Sequence, residues 1–251
     1  MNDHSFSVAY LLPLYYCGSM TAAASKKPSA SKNQSRSSSP KTRRPAAEPK
    51  SRRRNAPPEQ RREQLIKATI RCIARKGLSN TTMADVTRTA KLSLGIVNLH
   101  FKSKEKLLIE TLRYVAEEYK RGWDQIINDN QLSPASKIVA LIEHDFSPAI
   151  VHSNKLAVWF AFWGESSSRP TYRKICNEAD FQNSATMQLI CAELGASKAQ
   201  ARLIATGYTA LADGLWLDLL VTPEDMNPEL AREICLNYMT SFFPVHFPQP
   251  I

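Results

Sequence analysis

Residues 93–108 read SLGIVNLHFKSKEKLL. A serine precedes an apolar, partly β-branched run holding one glycine, and three lysines follow within five residues. By composition, LGIVNLHF (94–101) suits a short strand as well as a short helix. A strand here would be one element of a sheet, whereas a helix would be a probe that fits a DNA groove. The neighbouring residues decide between them.

Upstream, Pro57-Pro58 marks a helix start, and PEQRREQLIKATIRCIARKG (58–77) spaces Leu65, Ile66, Thr69, Ile70, Ile73 and Ala74 at helical intervals. Gly77 closes that helix. In SNTTMADVTRTAK (79–91), Thr81 or Thr82 caps a second helix and Asp85 completes a capping box, with Met83, Val86 and Ala90 facing inward. Ser93 caps LGIVNLHF. Ser103 caps KEKLLIETLRYVAEEYKRGWDQIIND (104–129), which is long and amphipathic. A lone strand between capped helices would have no partner, and no other segment of the chain is a good strand. LGIVNLHF is therefore predicted to be a helix, its packing overriding its β-branched propensity.

The remaining segments are helical too: 133–150, 154–167, 169–195, 197–223 and 227–243, each junction punctuated by Pro, Gly, Ser or Asn. The expected fold is all-α, with about nine helices. The expected organisation is a disordered basic extension over 1–58, a three-helix domain over 59–104 with its helix-turn-helix at about 82–101, a helical bundle over 105–243, and a tail over 244–251. The extension is rich in Ser, Pro, Ala, Lys and Arg, too polar to offset its ordering entropy.

Charge follows the same division. Residues 1–58 carry 11 Lys/Arg against 2 Asp/Glu, residues 59–104 carry 10 against 3, and residues 105–251 carry 12 against 18. The whole-chain net of +10 hides this split. A basic tail and module beside an acidic remainder suit phosphate-backbone binding, or equally a solvated face with a solubilising tail. Arg52, Arg53 and Arg54 form a dense cationic cluster just before the first helix. The five cysteines are scattered without a C-x-x-C, which fits reduced thiols in a cytoplasmic protein and excludes a disulfide framework or a zinc site. No apolar run has the length of a membrane span. Residues 6–24 look superficially like a signal peptide, but Pro13 and three tyrosines interrupt them and no Lys or Arg precedes them. Met20 is an alternative start.

A helix of eight or nine residues, a turn at Lys91-Leu92-Ser93 and a second helix make a helix-turn-helix, whose second helix enters the major groove. The stretch from about 59 to 108 resembles the DNA-binding domain of TetR-family transcriptional regulators. The resemblance rests on the Arg-rich first helix ending at Gly77, on TTMADVTRTAKLS, and on HF followed by KSKEKLL. It implies a homodimer bound to a palindromic operator on double-stranded DNA. The implied DNA contacts are Thr82 and Ala84, then Ser93, Leu94, Gly95, Ile96, Asn98, His100, Lys102 and Lys104, with Arg52–Arg54 adding to the grip. Lys104 matches the family lysine at the start of the fourth helix. Three positions depart from the family pattern: Lys91 replaces the turn glycine, Thr87 a small alanine, and Asn98-Leu99 the pair that commonly touches DNA. Leu94 and Ile96 either meet thymine methyls or pack inward.

The C-terminal part resembles choline-responsive repressors of betaine synthesis, through AVWFAFWGESS (157–167) and ALADGLWLDLLVTP (210–223). That implies a repressor released by a small-molecule effector such as choline or a related quaternary amine. Trp159, Phe162, Trp163, Tyr208 and Trp216 form either an aromatic box for such a cation or ordinary core. Asp213 is either the ligand's counter-charge or a partner between helices. His144-Asp145 reads as a satisfied pair rather than a catalytic one. Enzyme motifs such as G-x-G-x-x-G, H-E-x-x-H and G-x-S-x-G are absent from the sequence, and no cofactor is implied. Two other readings remain: a sequence-indifferent DNA-binding protein dominated by its tail, and a helical small-molecule carrier that ignores DNA.

Overall fold

The computed structural model describes residues 57–247, apart from the side chains of 177–182. The expected disorder of residues 1–56 and the DNA contacts expected of Arg52, Arg53 and Arg54 lie outside the described residues, as do residues 248–251.

Nine α-helices make up the described residues: α1 (Pro58–Lys76), α2 (Met83–Ala90), α3 (Leu94–His100), α4 (Lys104–Ile127), α5 (Pro134–Asp145), α6 (Ser153–Glu165), α7 (Pro170–Glu193), α8 (Lys198–Val221) and α9 (Pro228–Phe242). Residues 94–100 are helical, so the strand alternative falls. Val97 has no exposed surface, and Phe101, just past the helix end, is buried with it. These two contacts hold a seven-residue helix that is too short to persist alone.

Local chemistry sets the helix ends. Pro58 supplies the first position of α1, and Gly77 terminates it at φ 77° with its N–H on the Ile73 carbonyl at 2.8 Å. Thr82 rather than Thr81 caps α2: its Oγ1 accepts from Asp85 N at 3.1 Å, and Asp85 Oδ2 accepts from Thr82 N at 3.2 Å. Thr81 is buried instead and donates to the Gly77 carbonyl at 2.8 Å. Ser103 caps α4 through Lys106 N at 3.2 Å. Ser93 departs from expectation. It sits at the N-cap in extended conformation but makes no side-chain cap bond. The first turn is tight enough that its carbonyl takes both Ile96 N–H (3.1 Å) and Val97 N–H (3.4 Å), leaving the exposed hydroxyl without that task.

Helix α4 runs from the helix-turn-helix into the bundle. Near its start, Arg62 of α1 pairs with Glu110 and lies over the Phe101 ring at 5.7 Å. Glu105 takes Arg169 at 3.2 Å from the segment joining α6 to α7, and Glu118 takes Lys155 of α6 at 2.7 Å. The long α8 packs against α6, α7 and α9. It is also long and apolar enough, by length and composition, to cross a membrane, although Asp213 and Asp218 interrupt its apolar sequence. It carries Tyr208, Ala212, Leu215 and Trp216 into the core.

Candidate functional site

Two regions concentrate chemistry. The first is the exposed face of the helix-turn-helix. Thr82, Ala84, Ser93, Leu94, Gly95, Asn98 and Lys102 are exposed, while His100 and Lys104 are half-buried. Ile96 is half-buried against the core, whereas Leu94 is 52% exposed and Leu99 is 76% exposed. So of Leu94 and Ile96, one stays outside and one packs inward. A Cβ added at Gly95 would meet only Ser93 Oγ at 3.8 Å, so this surface is open. Lys104 Nζ donates to the Ser79 carbonyl at 3.0 Å, fixing the loop before α2 to the start of α4. Lys76 pairs with Asp85 at 2.7 Å, and Lys76 and Thr82 together hold the Asp85 carboxyl well below the usual carboxylate range. Lys91 occupies the left-handed region at φ 56°, the conformation that a turn glycine would adopt freely. Thr87 fits where a smaller residue was expected by turning its hydroxyl back onto the Ala84 carbonyl at 2.8 Å.

The second region is a cavity inside the bundle. Aromatic rings from three helices line it: Tyr119 and Trp123 of α4, Trp159 and Trp163 of α6, Tyr208 and Trp216 of α8. Asp145 of α5, Asn183 and Met187 of α7, and Thr209, Ala212 and Asp213 of α8 complete the lining. Tyr119 meets Trp159 and Trp216 edge-on, at centroid separations of 6.5 and 5.5 Å. Trp159 and Trp163 are tilted against each other at 6.1 Å.

Asp145 organises this cavity. Its Oδ1 accepts from the Tyr119 hydroxyl and the Trp123 indole N–H, each at 2.9 Å. Its Oδ2 accepts from the Tyr208 hydroxyl at 2.8 Å, and its backbone carbonyl accepts from the Trp216 indole at 2.9 Å. Four of the six rings are thus oriented by one residue, itself 1% exposed. Burial pushes the Asp145 carboxyl above its ordinary range, opposed by these donors and by His144. Burial, and then the charge of Asp145, pushes both tyrosine hydroxyls well above theirs. His144 donates through Nε2 to the Tyr119 carbonyl at 2.9 Å and stacks on its ring.

Of the cavity residues expected from sequence, Trp159, Trp163, Tyr208, Asp213 and Trp216 line it together. Phe162 does not: its buried ring stands edge-on to Tyr172 at 4.7 Å, because the helical turn that faces Trp159 and Trp163 inward sends Phe162 to another side. Sequence reasoning missed Tyr119, Trp123, Asn183, Met187 and Thr209, and underrated Asp145. A usable signal lies in the two aromatics one turn apart on the inner face of amphipathic α4.

Residues 65–111 match the family of bacterial regulatory proteins described as the tetR family, and residues 134–244 match the C-terminal domain of BetI-type transcriptional repressors. The HTH-type transcriptional regulator BetI of Burkholderia mallei (strain NCTC 10229) is 32% identical over 181 residues, covering 70% of this chain and 90% of that protein. A transcriptional regulator from Pseudomonas aeruginosa PAO1 superposes with a TM-score of 0.67 at 26% identity, covering 77% of this chain and 95% of that one. A regulator from Saccharomonospora viridis, solved in complex with choline, superposes with a TM-score of 0.62 at 23% identity, covering 72% of this chain and 96% of that one. These relatives are regulators of transcription, not enzymes. The chain belongs to the TetR family of DNA-binding transcriptional regulators, with a BetI-type C-terminal domain.

Proposed function

We propose that this regulator is a homodimeric repressor acting in the cytoplasm, released from a palindromic operator when a quaternary ammonium ion such as choline enters the bundle cavity. The observation that carries this reading is the ring of four tryptophans and two tyrosines closed over a buried carboxylate. Ring faces attract a cation that cannot hydrogen-bond, by about 2 kcal/mol or more where water is excluded. Asp145 adds the compensating negative charge. The choline held by the Saccharomonospora viridis neighbour supports the same ligand class.

Helix α4 supplies the coupling. Tyr119 and Trp123 bind Asp145, and Lys104, about 22 Å from Tyr119 along the same helix, ties α4 to the loop before α2 of the helix-turn-helix. A ligand that repositions these rings shifts α4, and with it the spacing of two recognition helices that must fit half-sites about 34 Å apart. Exposed Leu203, Leu217 and Val221 of α8 and Leu236 and Phe242 of α9 form the face offered for dimerisation. At the DNA, Leu94 and Leu99 meet thymine methyls, Asn98 bonds a phosphate or base edge, and Lys102 and Lys104 hold the backbone. Arg52–Arg54 would add nonspecific grip.

Thermal unfolding of the purified protein tests the ligand class. Choline at a hundredfold excess over its Kd raises apparent stability by about 2.7 kcal/mol and detaches operator DNA. Absence of any shift with choline, betaine aldehyde or tetramethylammonium would sink the proposal.

A further inference from the structure

We infer that Asn183 is the residue that selects the uncharged, hydroxyl-bearing end of the effector, so that the cavity takes a quaternary ammonium alcohol in preference to a quaternary ammonium carboxylate. This rests on the cage reading above and assigns the other end of the same ligand.

Three observations converge on Asn183. The cavity has a deep side and a rim. Trp123, Trp159, Tyr208, Trp216, Met187 and Asp145 are buried, whereas Asn183, Thr209 and Asp213 are half-buried. A cation drawn to the rings and to Asp145 therefore sits deep, with its substituent pointing toward the rim. Asn183 also lines a second depression, between α4 and α7, which shares Trp123 with the cage and opens past Lys120 and Asp124. It stands where the substituent emerges. Finally, the Asn183 side-chain amide has no hydrogen-bond partner among the described residues, whereas Thr209 already donates to the Ala205 carbonyl at 3.1 Å. A half-buried amide offers both a donor and an acceptor to a hydroxyl.

Charge then separates an alcohol from a carboxylate. Asp145 and Asp213 both line the cage. Lys120 is the one cation among the described residues lining either space, and Asp124 holds it at 2.5 Å. A ligand carboxylate would approach the buried Asp145 carboxylate with no uncommitted cation among the described lining residues, whereas a hydroxyl carries no such penalty.

The test is calorimetric titration of the full-length protein with choline, propyltrimethylammonium (choline with its hydroxyl replaced by methyl) and betaine. The wild type binds choline about fivefold to tenfold more tightly than propyltrimethylammonium, the worth of one hydrogen bond at a half-buried site, and more tightly than betaine. Asn183→Leu brings choline down to the propyltrimethylammonium level and leaves the latter unchanged. Asn183→Asp, which keeps an acceptor for the hydroxyl and adds a repelling charge, widens the gap between choline and betaine severalfold and guards against a misfolded leucine variant. An unchanged choline-to-propyltrimethylammonium ratio in Asn183→Leu, or equal losses for both ligands, overturns the assignment. Failure of the wild type to bind any of the three would instead overturn the cage reading itself.

Discussion

Trp123 of α4 donates its indole N–H to the carboxylate of Asp145 on α5 at 2.9 Å, joining the helix that reaches the DNA-binding region to the buried carboxylate of the bundle cavity. Two tyrosine hydroxyls converge on the same carboxylate. Burial raises the Asp145 carboxyl above the ordinary value of 3.8, so the native chain retains a proton that the unfolded chain gives up. The stability contributed by this group is therefore full below about pH 4 and declines as pH rises from there to the raised native value. A bound cation favours the ionised form, so effector affinity rises over the same window. Asp145→Asn removes both dependences and weakens choline at least tenfold near neutral pH, measured by titration across pH. Asp85 runs the opposite way. Its native carboxyl is depressed, so its contribution is present above the ordinary value and is lost on acidification. Acid lability should thus persist in Asp145→Asn. Asp145→Ala strands three donors and costs about 3 kcal/mol or more of stability.

Lys104 should behave as a backbone anchor rather than a base reader. Its ammonium bonds the Ser79 carbonyl with one proton and keeps two for a phosphate. Lys104→Ala is expected to weaken specific and nonspecific DNA alike and to reduce the slope of log affinity against log salt by about 1. Leu99→Ala, on an exposed apolar side chain, should instead cost affinity at one base pair only, seen by titrating operator variants. A uniform loss from Leu99→Ala would remove it from the reading surface.

Lys91 is a stability defect at an otherwise ordinary helix-turn-helix corner. A lysine at φ 56° bears strain that glycine would not. Lys91→Gly should stabilise the fold by about 1 kcal/mol, raising Tm by about 2–4 °C, as read by denaturant and thermal unfolding. Because the side chain is exposed and outside the recognition helix, operator specificity should be unchanged.

The DNA-binding half was legible in the sequence because its determinants are local. Caps, a turn and a fixed spacing lie within fifty residues, and of the expected serine caps only Ser93 makes no side-chain cap bond. The cavity was only half legible, for a physical reason. Trp159, Trp163, Tyr208 and Trp216 stand in apolar segments that draw attention to themselves. Tyr119 and Trp123 are hidden in an amphipathic helix whose inner face looks like any core face. Asp145 looked like a satisfied polar residue, and it is one. Its four partners come from residues 22 to 71 positions away, a convergence that no single segment encodes.

The approach of α4 to α5 depends on Gly122. A Cβ there would stand 2.3 Å from Cε1 of His144, closer than any real contact. The imidazole cannot swing aside freely, since it bonds the Tyr119 carbonyl at 2.9 Å and stacks on the Tyr119 ring at 5.4 Å. Gly122→Ala must therefore either separate the two helices or break the His144 contact, and both outcomes move Tyr119, whose hydroxyl orients Asp145. Overpacking of this kind costs about 1–3 kcal/mol, which offsets the propensity gain of about 1 kcal/mol that alanine brings to a helix interior. The expected variant is folded, less stable, and weakened for choline severalfold. Gly164 offers the control, because a Cβ there meets nothing within 4 Å. Gly164→Ala should retain choline binding and gain stability. Parallel titrations and melts of the two variants decide whether Gly122 is needed for the close helix approach or is an ordinary helical glycine.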